Sequence, residues 1–337
     1  MSGPVTEPLI DVLFVVPPRA LLLDVAGPAE AFRLANQHRI DRGEPPRFTL
    51  RYTGPRAEAA SSVGLTLAAL EPLPDTLAAP TWLVLVGQPS ATLAHPERAT
   101  QETARWLDRV MRPLLLAPGT PHRLVTICSG TLLAARAGLL AERRCTTHHG
   151  LLDQLRGLAP RAQVVDNRVF VIDGALASSA GVTAGIDLAL HLIAQTCGDA
   201  LAAAVAQDMV VYLRRSPHDP ELSPLLAHRH HLHPAVHRVQ DAVSASPERD
   251  WDMAALAGTA HVTQRHLLRL FGEHAGVSPL HYLETVRLER ARQTLQRGAS
   301  VTRAAEAAGF SSDLQLRRAW NRHWGGSPRD ATTARSR

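Results

Sequence analysis

The chain has 337 residues, of which 45% are hydrophobic and 20% are charged. This length favours two or three domains over one core, and the hydrophobic content exceeds that of disordered chains. The longest apolar runs are only as long as a strand, and the first residues lack a basic stretch and an apolar segment. We therefore expect neither a membrane span nor a secretory signal. Three scattered cysteines exclude a disulfide framework and a CxxC metal site, which favours the reducing cytoplasm.

Charge is distributed unevenly along the chain. All 36 basic residues are Arg. Residues 1–236 contain 21 Arg and 21 acidic residues, whereas residues 237–337 contain 15 Arg and 10 acidic residues. The formal net charge of +5 therefore belongs to the C-terminal part. This distribution favours a polyanionic partner such as nucleic acid, although a solvated basic face would have the same composition.

The first two hundred residues alternate between strand and helix patterns. Strands are predicted at Ile10–Val16, Phe48–Tyr52, Trp82–Val86, Leu124–Ile127, Val164–Val165, Val169–Ile172 and Ala175–Ser178. Helices are predicted at Asp24–Asn36, Thr100–Met111, Thr131–Ala137 and Thr183–Thr196. This rhythm predicts an open α/β fold with a mostly parallel sheet and helices on both faces. In such sheets, ligands bind beyond the carboxyl ends of the strands.

A Cys-Ser-Gly turn follows the predicted strand Leu124–Ile127 and precedes a helix. A nucleophile elbow has this arrangement, and a thiol at a helix N-terminus is favoured as thiolate. Cys128 is the candidate nucleophile, and the backbone N–H of Ser129 would serve as an oxyanion-type donor. The alternative interpretation of a lone cysteine is a buried structural residue, as we expect for Cys145 and Cys197.

After a proline- and histidine-rich connector at residues 215–234, the chain is predicted to be all-helical, with helices beginning at Pro234 and near Asp252. Histidines in the connector, at 228, 230, 231, 233 and 237, offer His–x–His spacing for a metal, but no carboxylate or cysteine within it completes a ligand set. We therefore expect a solvated linker and no metal site.

Two segments of the helical part are similar to each other. Leu256–Phe271 and Ala304–Trp320 each combine a small helix, a tight turn and a second helix that ends on an aromatic residue. His261 and Gly309 occupy the turn position that needs positive φ. The following helices are predicted to be capped by Thr263 and Ser311. The repeat predicts two helix-turn-helix units in tandem.

Residues 237–330 resemble the AraC/XylS-type DNA-binding domain, on the motifs GVSPLHYLETVRLERA (276–291) and AAEAAGFSSDLQLRRAW (304–320). The resemblance implies that a long helix, Pro279–Gln296, separates two recognition helices that enter successive major grooves. The residues expected to face DNA are Gln264, Arg265, Leu268, Arg269, Asp313, Gln315, Arg317 and Arg318. Arg suits guanine or phosphate, and Gln suits adenine or phosphate. Asp313 and Leu314 are unusual on such a surface, which favours backbone support as the role of the second unit.

Residues 10–198 resemble the PfpI/ThiJ superfamily, a class I glutamine-amidotransferase-like α/β fold. The phrases LLLDVAGPAEAF (21–32), TICSGTLLAARAGLL (126–140) and RRCTTHHGLLDQL (143–155) carry the resemblance. It implies a site in which Asp24 faces the elbow residue Cys128 and His148 lies near the pocket. The usual Gly-Gly donor pair is Gly87 followed by Gln88 here. Ser129 stands where peptidase-like members have His, so a Cys–His dyad is not expected.

Together the two modules resemble the GlxA-type branch of AraC/XylS regulators. The resemblance implies a cytoplasmic, non-enzymatic transcription factor with no cofactor. It would bind double-stranded promoter or operator DNA and sense a small effector such as an amino acid or amine. It would form a homodimer and contact no membrane. RNA polymerase would be a further partner. The alternative is an isocyanide-hydratase-like or other cysteine-dependent enzyme fused to a DNA-binding domain.

The expected organisation follows from the two resemblances and from the connector between them. We expect an N-terminal tail at 1–9 and a sensor domain at 10–198. A helix and the connector then occupy 199–234, a DNA-binding domain occupies 235–330, and a C-terminal tail occupies 331–337.

Overall fold

A computed structural model describes residues 8–77, 80–89, 92, 97–211, 228–229, 231, 233–296 and 298–329. The chain divides into two compact units, Met1–Glu221 and Leu222–Arg337, named here the N-terminal and C-terminal units. Within the described ranges, no helix is long and apolar enough to cross a bilayer. Most of the predicted tails and of the connector, including His230, lies outside the described residues.

The N-terminal unit is built on a seven-stranded sheet. Its strands are β1 (Ile10–Val15), β2 (Phe48–Gly54), β5 (Glu71–Pro72), β6 (Thr81–Leu85), β7 (Arg123–Ile127), β10 (Phe170–Asp173) and β11 (Leu176–Ser179). The order is β10-β11-β7-β6-β1-β2-β5, and only the β10–β11 pair is antiparallel. The prediction of a mostly parallel sheet is confirmed. The central strands β1, β6 and β7 are almost continuously buried because helices cover both faces.

The helices form two separate hydrophobic layers on the sheet. The helices of this unit are α1 (Leu22–Asp41), α2 (Arg98–Leu116), α3 (Gly130–Arg136), α4 (Leu152–Leu158), α5 (Thr183–Cys197) and α6 (Asp199–Asp208). Buried residues of α1, α5 and α6 pack on one face, and those of α2, α3 and α4 pack on the other. Because Leu201, Ala202 and Val205 of α6 belong to the first layer, this unit continues beyond residue 198.

Several short elements escaped the sequence patterns. They are the hairpin β3 (Ala59–Ala60) and β4 (Thr66–Leu67), the strand β8 (Arg144–Cys145) and a 3₁₀ turn at His149–Leu151. Two-residue strands carry no alternation, so hydrophobic periodicity does not reveal them. The partner of β8 is β9 (Gln163–Val164), which overlaps the predicted strand Val164–Val165. The helices α1 and α2 are also longer than predicted: α1 continues through polar residues to Asp41, and α2 continues through Pro113 to Leu116.

The C-terminal unit is all-helical in its described part. It contains α7 (Pro234–Ala245), α8 (Met253–Ala260), α9 (Gln264–His274), α10 (Pro279–Gln296), α11 (Val301–Ala308) and α12 (Asp313–Trp324). One core joins α7, α8 and α9 to the first half of α10, and a second core joins α11 and α12 to its second half. The two predicted helix-turn-helix units are therefore present as α8–α9 and α11–α12, each with its own core.

The turns of the two units differ by one residue. His261 and Gly309 adopt positive φ, 55° and 77°, as predicted, and Thr263 caps α9 by accepting a hydrogen bond from His266 N. The predicted cap at Ser311 is wrong: Ser312 caps α12, accepting from Gln315 N. The turn of the second unit is thus one residue longer, which a comparison of two similar stretches without coordinates cannot place.

The start of α3 packs closely against the carboxyl end of β6, and this contact gives a stability prediction. A Cβ added at Gly130 would lie 2.2 Å from the backbone oxygen of Leu85, so Gly130→Ala must displace a buried strand. We expect a loss of about 2–4 kcal/mol in the free energy of unfolding of the N-terminal unit. Thermal unfolding followed by circular dichroism measures this loss.

The matched control is Gly157→Ala in α4, where an added Cβ meets no atom within 4 Å. Alanine has the higher helix propensity, so this variant should gain about 0.5–1 kcal/mol. Equal melting temperatures for the two variants would contradict the packing described here.

Candidate functional site

The predicted elbow is present at the end of β7. Cys128 has a φ of 54°, which is strained for a residue with a side chain. Its N–H donates to Ser179 O at 3.0 Å, and its carbonyl accepts from Thr147 Oγ1 at 2.8 Å. A Cβ added at Gly181 would lie 2.8 Å from Cys128 Sγ, so only a glycine fits beside the sulfur. The thiol residue is 4% exposed and lies beneath this glycine.

Asp24 lies at the same sheet edge, in the first turn of α1, and is 1% exposed. Its Oδ2 accepts from Gly87 N at 3.2 Å and its Oδ1 accepts from Val182 N at 3.0 Å. A Cβ added at Gly87 would be 2.6 Å from Asp24 Oδ2 and 3.0 Å from Cys128 Cβ. The structure therefore brings Asp24, Gly87 and Cys128 together. Burial raises the pKa of Asp24 to about 6, against the opposing effect of the two N–H donors.

The backbone donors after β6 already have acceptors within the chain. Gly87 N–H donates to Asp24, and Gln88 N–H donates to Ser129 Oγ at 2.6 Å. Ser129 Oγ donates in turn to Gln88 O at 2.7 Å. The Ser129 hydroxyl therefore bonds both backbone groups of Gln88, just after the carboxyl end of β6. Both N–H groups of the Gly87–Gln88 pair thus donate to side-chain oxygens of the protein, whereas an oxyanion hole keeps its donors for the substrate.

His148 directly follows Thr147, whose hydroxyl donates a hydrogen bond to Cys128 O, so its backbone is close to the elbow. The imidazole of His148 is half-buried, accepts from Gly150 N at 3.2 Å through Nδ1, and lies 4.1 Å from the ring of His149. Cys145 is buried in a hydrophobic layer, and its burial together with Asp173 raises its pKa to about 11. This environment suits a structural cysteine, as expected.

The described histidines of the connector do not form the expected solvated linker. They are half-buried and pack in the C-terminal unit, with ring centroids 4.6 Å apart for His231 and His237 and for His233 and His274 of α9. His228 Nδ1 lies 2.9 Å from Ala275 O. Among the described residues, no group of three or more His, Cys, Asp or Glu is placed to hold a metal ion.

The recognition helices α9 and α12 place most of the predicted DNA-facing residues on the side opposite their cores. Gln264, Arg265, Leu268 and Arg269 of α9 are all exposed. Arg269 also bonds Glu273, at 3.2 Å. In α12, Arg318 is exposed and Arg317 is half-buried. Within the described part of the chain, Arg265, Arg317 and Arg318 form no ion pair, so their guanidinium groups are available to a polyanion.

Asp313 and Gln315 form hydrogen bonds within the protein at the start of α12. Asp313 Oδ2 accepts from Thr302 Oγ1 at 3.0 Å, in the first turn of α12. Gln315 Oε1 accepts from both the N–H and the hydroxyl of Ser311, at 2.7 and 3.0 Å. With the Ser312 cap, these bonds form a capping arrangement that begins the helix. Both side chains form bonds within the protein, and their role as DNA contacts stays a prediction.

Leu314, which sequence reasoning treated as unusual for a DNA-facing surface, lies on the exposed side of α12. Its side chain is 56% exposed, one turn before Arg318 and opposite the core residue Leu316. An exposed leucine on a recognition helix can contact the methyl group of thymine. Because the cap of α12 is Ser312 and not Ser311, the register of the helix puts Leu314 on its exposed side.

Comparisons with known proteins match both units. A helix-turn-helix domain family model matches residues 256–334, and the DJ-1/PfpI family model matches residues 117–195. The HTH-type transcriptional regulator GbdR of Pseudomonas aeruginosa is 34% identical over 62% of this chain and 57% of its own length. The chain thus spans little more than half of that relative. The regulator CdhR of the same species is 32% identical over 69% of this chain and 68% of CdhR.

Two further relatives bear on the alternatives. The HTH-type transcriptional regulator GlxA of Rhizobium meliloti is 32% identical over 61% of this chain and 64% of its own length. An isonitrile hydratase of Pseudomonas putida is 36% identical, but the match covers only 30% of this chain and 44% of the enzyme. The similarity to the regulators is therefore much more extensive than the similarity to the enzyme.

The burial of Asp24 predicts a pH dependence of stability. Its pKa is raised from 3.8 to about 6 on folding, so the neutral carboxyl is favoured in the folded state. This contribution to stability is complete below about pH 4 and is lost as the pH rises through 6. We expect wild type to lose on the order of 2–3 kcal/mol between pH 4 and 7 relative to Asp24→Asn.

Chemical denaturation of both proteins across this pH range provides the measurement. Asn cannot ionise, so any constant cost of replacing one acceptor oxygen cancels in the slope. Parallel pH profiles of the two proteins would show that Asp24 has an ordinary pKa in the folded protein.

Proposed function

Because the chain belongs to the AraC-type helix-turn-helix transcriptional regulators with an N-terminal DJ-1/PfpI domain, we propose that it binds a specific DNA sequence and regulates transcription in response to a small metabolite. The observation that carries the proposal is the pair of helix-turn-helix units on the two halves of α10. Each unit exposes a recognition helix with arginines opposite its core. Two such helices allow one chain to contact two segments of major groove.

The proposal assigns the effector to the N-terminal unit, with residues 10–198 as its α/β sensor part, and DNA to residues 235–330. We further propose that the chain forms a homodimer through the N-terminal unit. It would contact RNA polymerase and reside in the cytoplasm. The reducing cytoplasm suits a chain whose cysteines Cys128 and Cys145 are buried and form no disulfide. An effector would act through its different affinities for the DNA-competent and incompetent states.

The environment of Asp24 favours an amine or amino acid as the effector. The two hydrogen bonds that hold this buried carboxylate come from the N–H groups of Gly87 and Val182. A cation close to the carboxylate would lower the pKa of Asp24, because its charge stabilises the ionised form that burial disfavours. Leu23, which precedes Asp24 in the chain, and Val182, which donates one of these hydrogen bonds, are 45% and 46% exposed. These exposed apolar side chains would contact the alkyl part of such a ligand.

An enzymatic function at Cys128 is the second candidate, favoured by the elbow geometry and by the partial similarity to isonitrile hydratase. Two observations favour a non-catalytic sensor instead. The thiol is covered by Gly181, and the N–H groups of Gly87 and Gln88 are used within the protein. Catalysis would require both to be released, since a nucleophile needs access to its substrate and donors for the developing charge.

Salt dependence of DNA affinity tests the DNA-binding surface. Arg318→Ala should weaken binding to the DNA that the protein selects, and the slope of log K against log salt should fall by roughly one if the contact is to phosphate. Arg269→Ala should weaken binding as well, less so because Arg269 must first leave Glu273.

The control for this series is Arg98→Ala, which removes the same charge from an exposed position of α2 in the N-terminal unit. Its affinity and salt slope should match wild type. Wild-type behaviour of both Arg269→Ala and Arg318→Ala would place the DNA-binding surface elsewhere.

A thermal-shift screen tests the sensor. Wild type, Cys128→Ala and Asp24→Asn are screened against amino acids, quaternary amines, aldehydes and isocyanides. We expect an amine or amino acid to stabilise wild type and Cys128→Ala equally, by about 3 kcal/mol at a hundredfold excess over Kd, and to lose its effect on Asp24→Asn. A compound that shifts only proteins with Cys128 and is consumed would favour the enzyme.

A further inference from the structure

The loop between α7 and α8 is fixed to the first helix-turn-helix core. This α7–α8 loop comprises Ser246–Asp252. Trp251 is buried in the first core, and its Nε1 donates to Ser246 O at 2.8 Å across the base of the loop. Asp252 ends the loop by accepting from Ala255 N as the cap of α8. The loop is thus tied at both ends and moves with the first core.

The middle of α10 is bonded to this loop. Val286 is the last residue of α10 in the first core, and Leu288 is the first in the second core. Arg287 lies between them. Its Nε donates to Pro247 O and one terminal NH₂ group donates to Arg249 O, both at 2.8 Å. One planar guanidinium therefore holds two carbonyls of the loop at the boundary of the two cores.

The second helix-turn-helix unit packs on the same loop from the other side. A Cβ added at Gly309, in the turn between α11 and α12, would lie 2.6 Å from Glu248 Cα and 2.8 Å from Pro247 O. The backbone of this turn is therefore in direct contact with the loop, and φ of 77° also favours glycine there. An exposed ion pair of Arg322 in α12 with Glu284 in α10 adds a weaker connection.

We infer that the α7–α8 loop is a strut that fixes the distance and angle between the two recognition helices, with Arg287 as the positioning residue. The inference rests on the proposed DNA binding. Because α10 is the one described helix that contributes to both cores, bending or twisting of this helix would change their relative orientation. The strut removes that freedom, so one chain accepts two half-sites at a single spacing. Binding of the second half-site then costs little further ordering.

The test is selection from a pool of random-sequence DNA duplexes by the full-length chain. Wild type should enrich two half-site motifs at one fixed spacing. Arg287→Met should enrich the same half-sites over several spacings, because it loses both carbonyl contacts while the recognition residues are unchanged. Its preference for the wild-type full site over a single half-site should fall roughly tenfold.

The matched control is Arg290→Met, on the exposed side of the same helix. It removes the same charge without touching the loop, so it should keep the wild-type spacing. A broadened spacing in both variants would assign the effect to charge and overturn the inference. If Arg287→Met fails to fold, Arg287→Lys replaces it, because lysine keeps the charge and loses the planar fork.

Failure of the inference and failure of the proposed function give different results. Wild type that enriches half-sites at several spacings, or an Arg287 variant that keeps a single spacing, overturns the strut and leaves DNA binding intact. Wild type that enriches no sequence at all contradicts the proposed function, and the strut with it. A loss of half-site affinity in Arg287→Met equal to its loss of full-site affinity also counts against the strut.

Discussion

The positive φ of Cys128 is the constraint on which the N-terminal unit depends. A strained residue at the end of a central strand persists only where its surroundings hold it, and here a strand neighbour, Ser179, and a loop hydroxyl, Thr147, bond both its backbone groups. Glycine is needed at 181 because the turn brings the sulfur so close. The same sheet edge then gathers the Asp24 carboxylate and two strand-end N–H groups. A geometry known from catalysis is thus filled with internal hydrogen bonds, which favours sensing over turnover.

The C-terminal unit solves a different problem, the coupling of two small cores. Each helix-turn-helix unit has its own small core, and both cores include residues of α10. The α10 helix divides its apolar residues between the cores, from Tyr282 to Val286 for one and from Leu288 to Leu295 for the other. Burial therefore stabilises both units through one element. Polar contacts of the α7–α8 loop add the orientation that apolar packing, which is non-directional, does not supply.

Hydrophobic period and turn chemistry were enough to predict the parallel sheet, the elbow at Cys128 and the positive φ of His261, whereas the extent of α10 came from the family resemblance. The first three features depend on local sequence or on long apolar runs. Asp24 was assigned by resemblance, since nothing in its own neighbourhood reports contacts with Gly87 and Val182, which lie far along the chain. Asp313 and Gln315, predicted as DNA contacts, also bond neighbouring residues at the start of α12, because an exposed polar residue can cap a helix as well as contact a ligand. The prediction of Ser311 as the cap missed this arrangement, which is built around Ser312.

The longer turn of the second helix-turn-helix unit makes the two recognition surfaces unequal. Arg265 begins the surface of α9, whereas Leu314 occupies the corresponding place after the cap of α12. One surface therefore starts with a cation and the other with an apolar side chain. If the chain binds DNA as proposed, it has polarity on a duplex, because rotating it by half a turn would exchange two surfaces that need different bases. The orientation of its target sequence would then decide which flank of the protein faces the start of a gene.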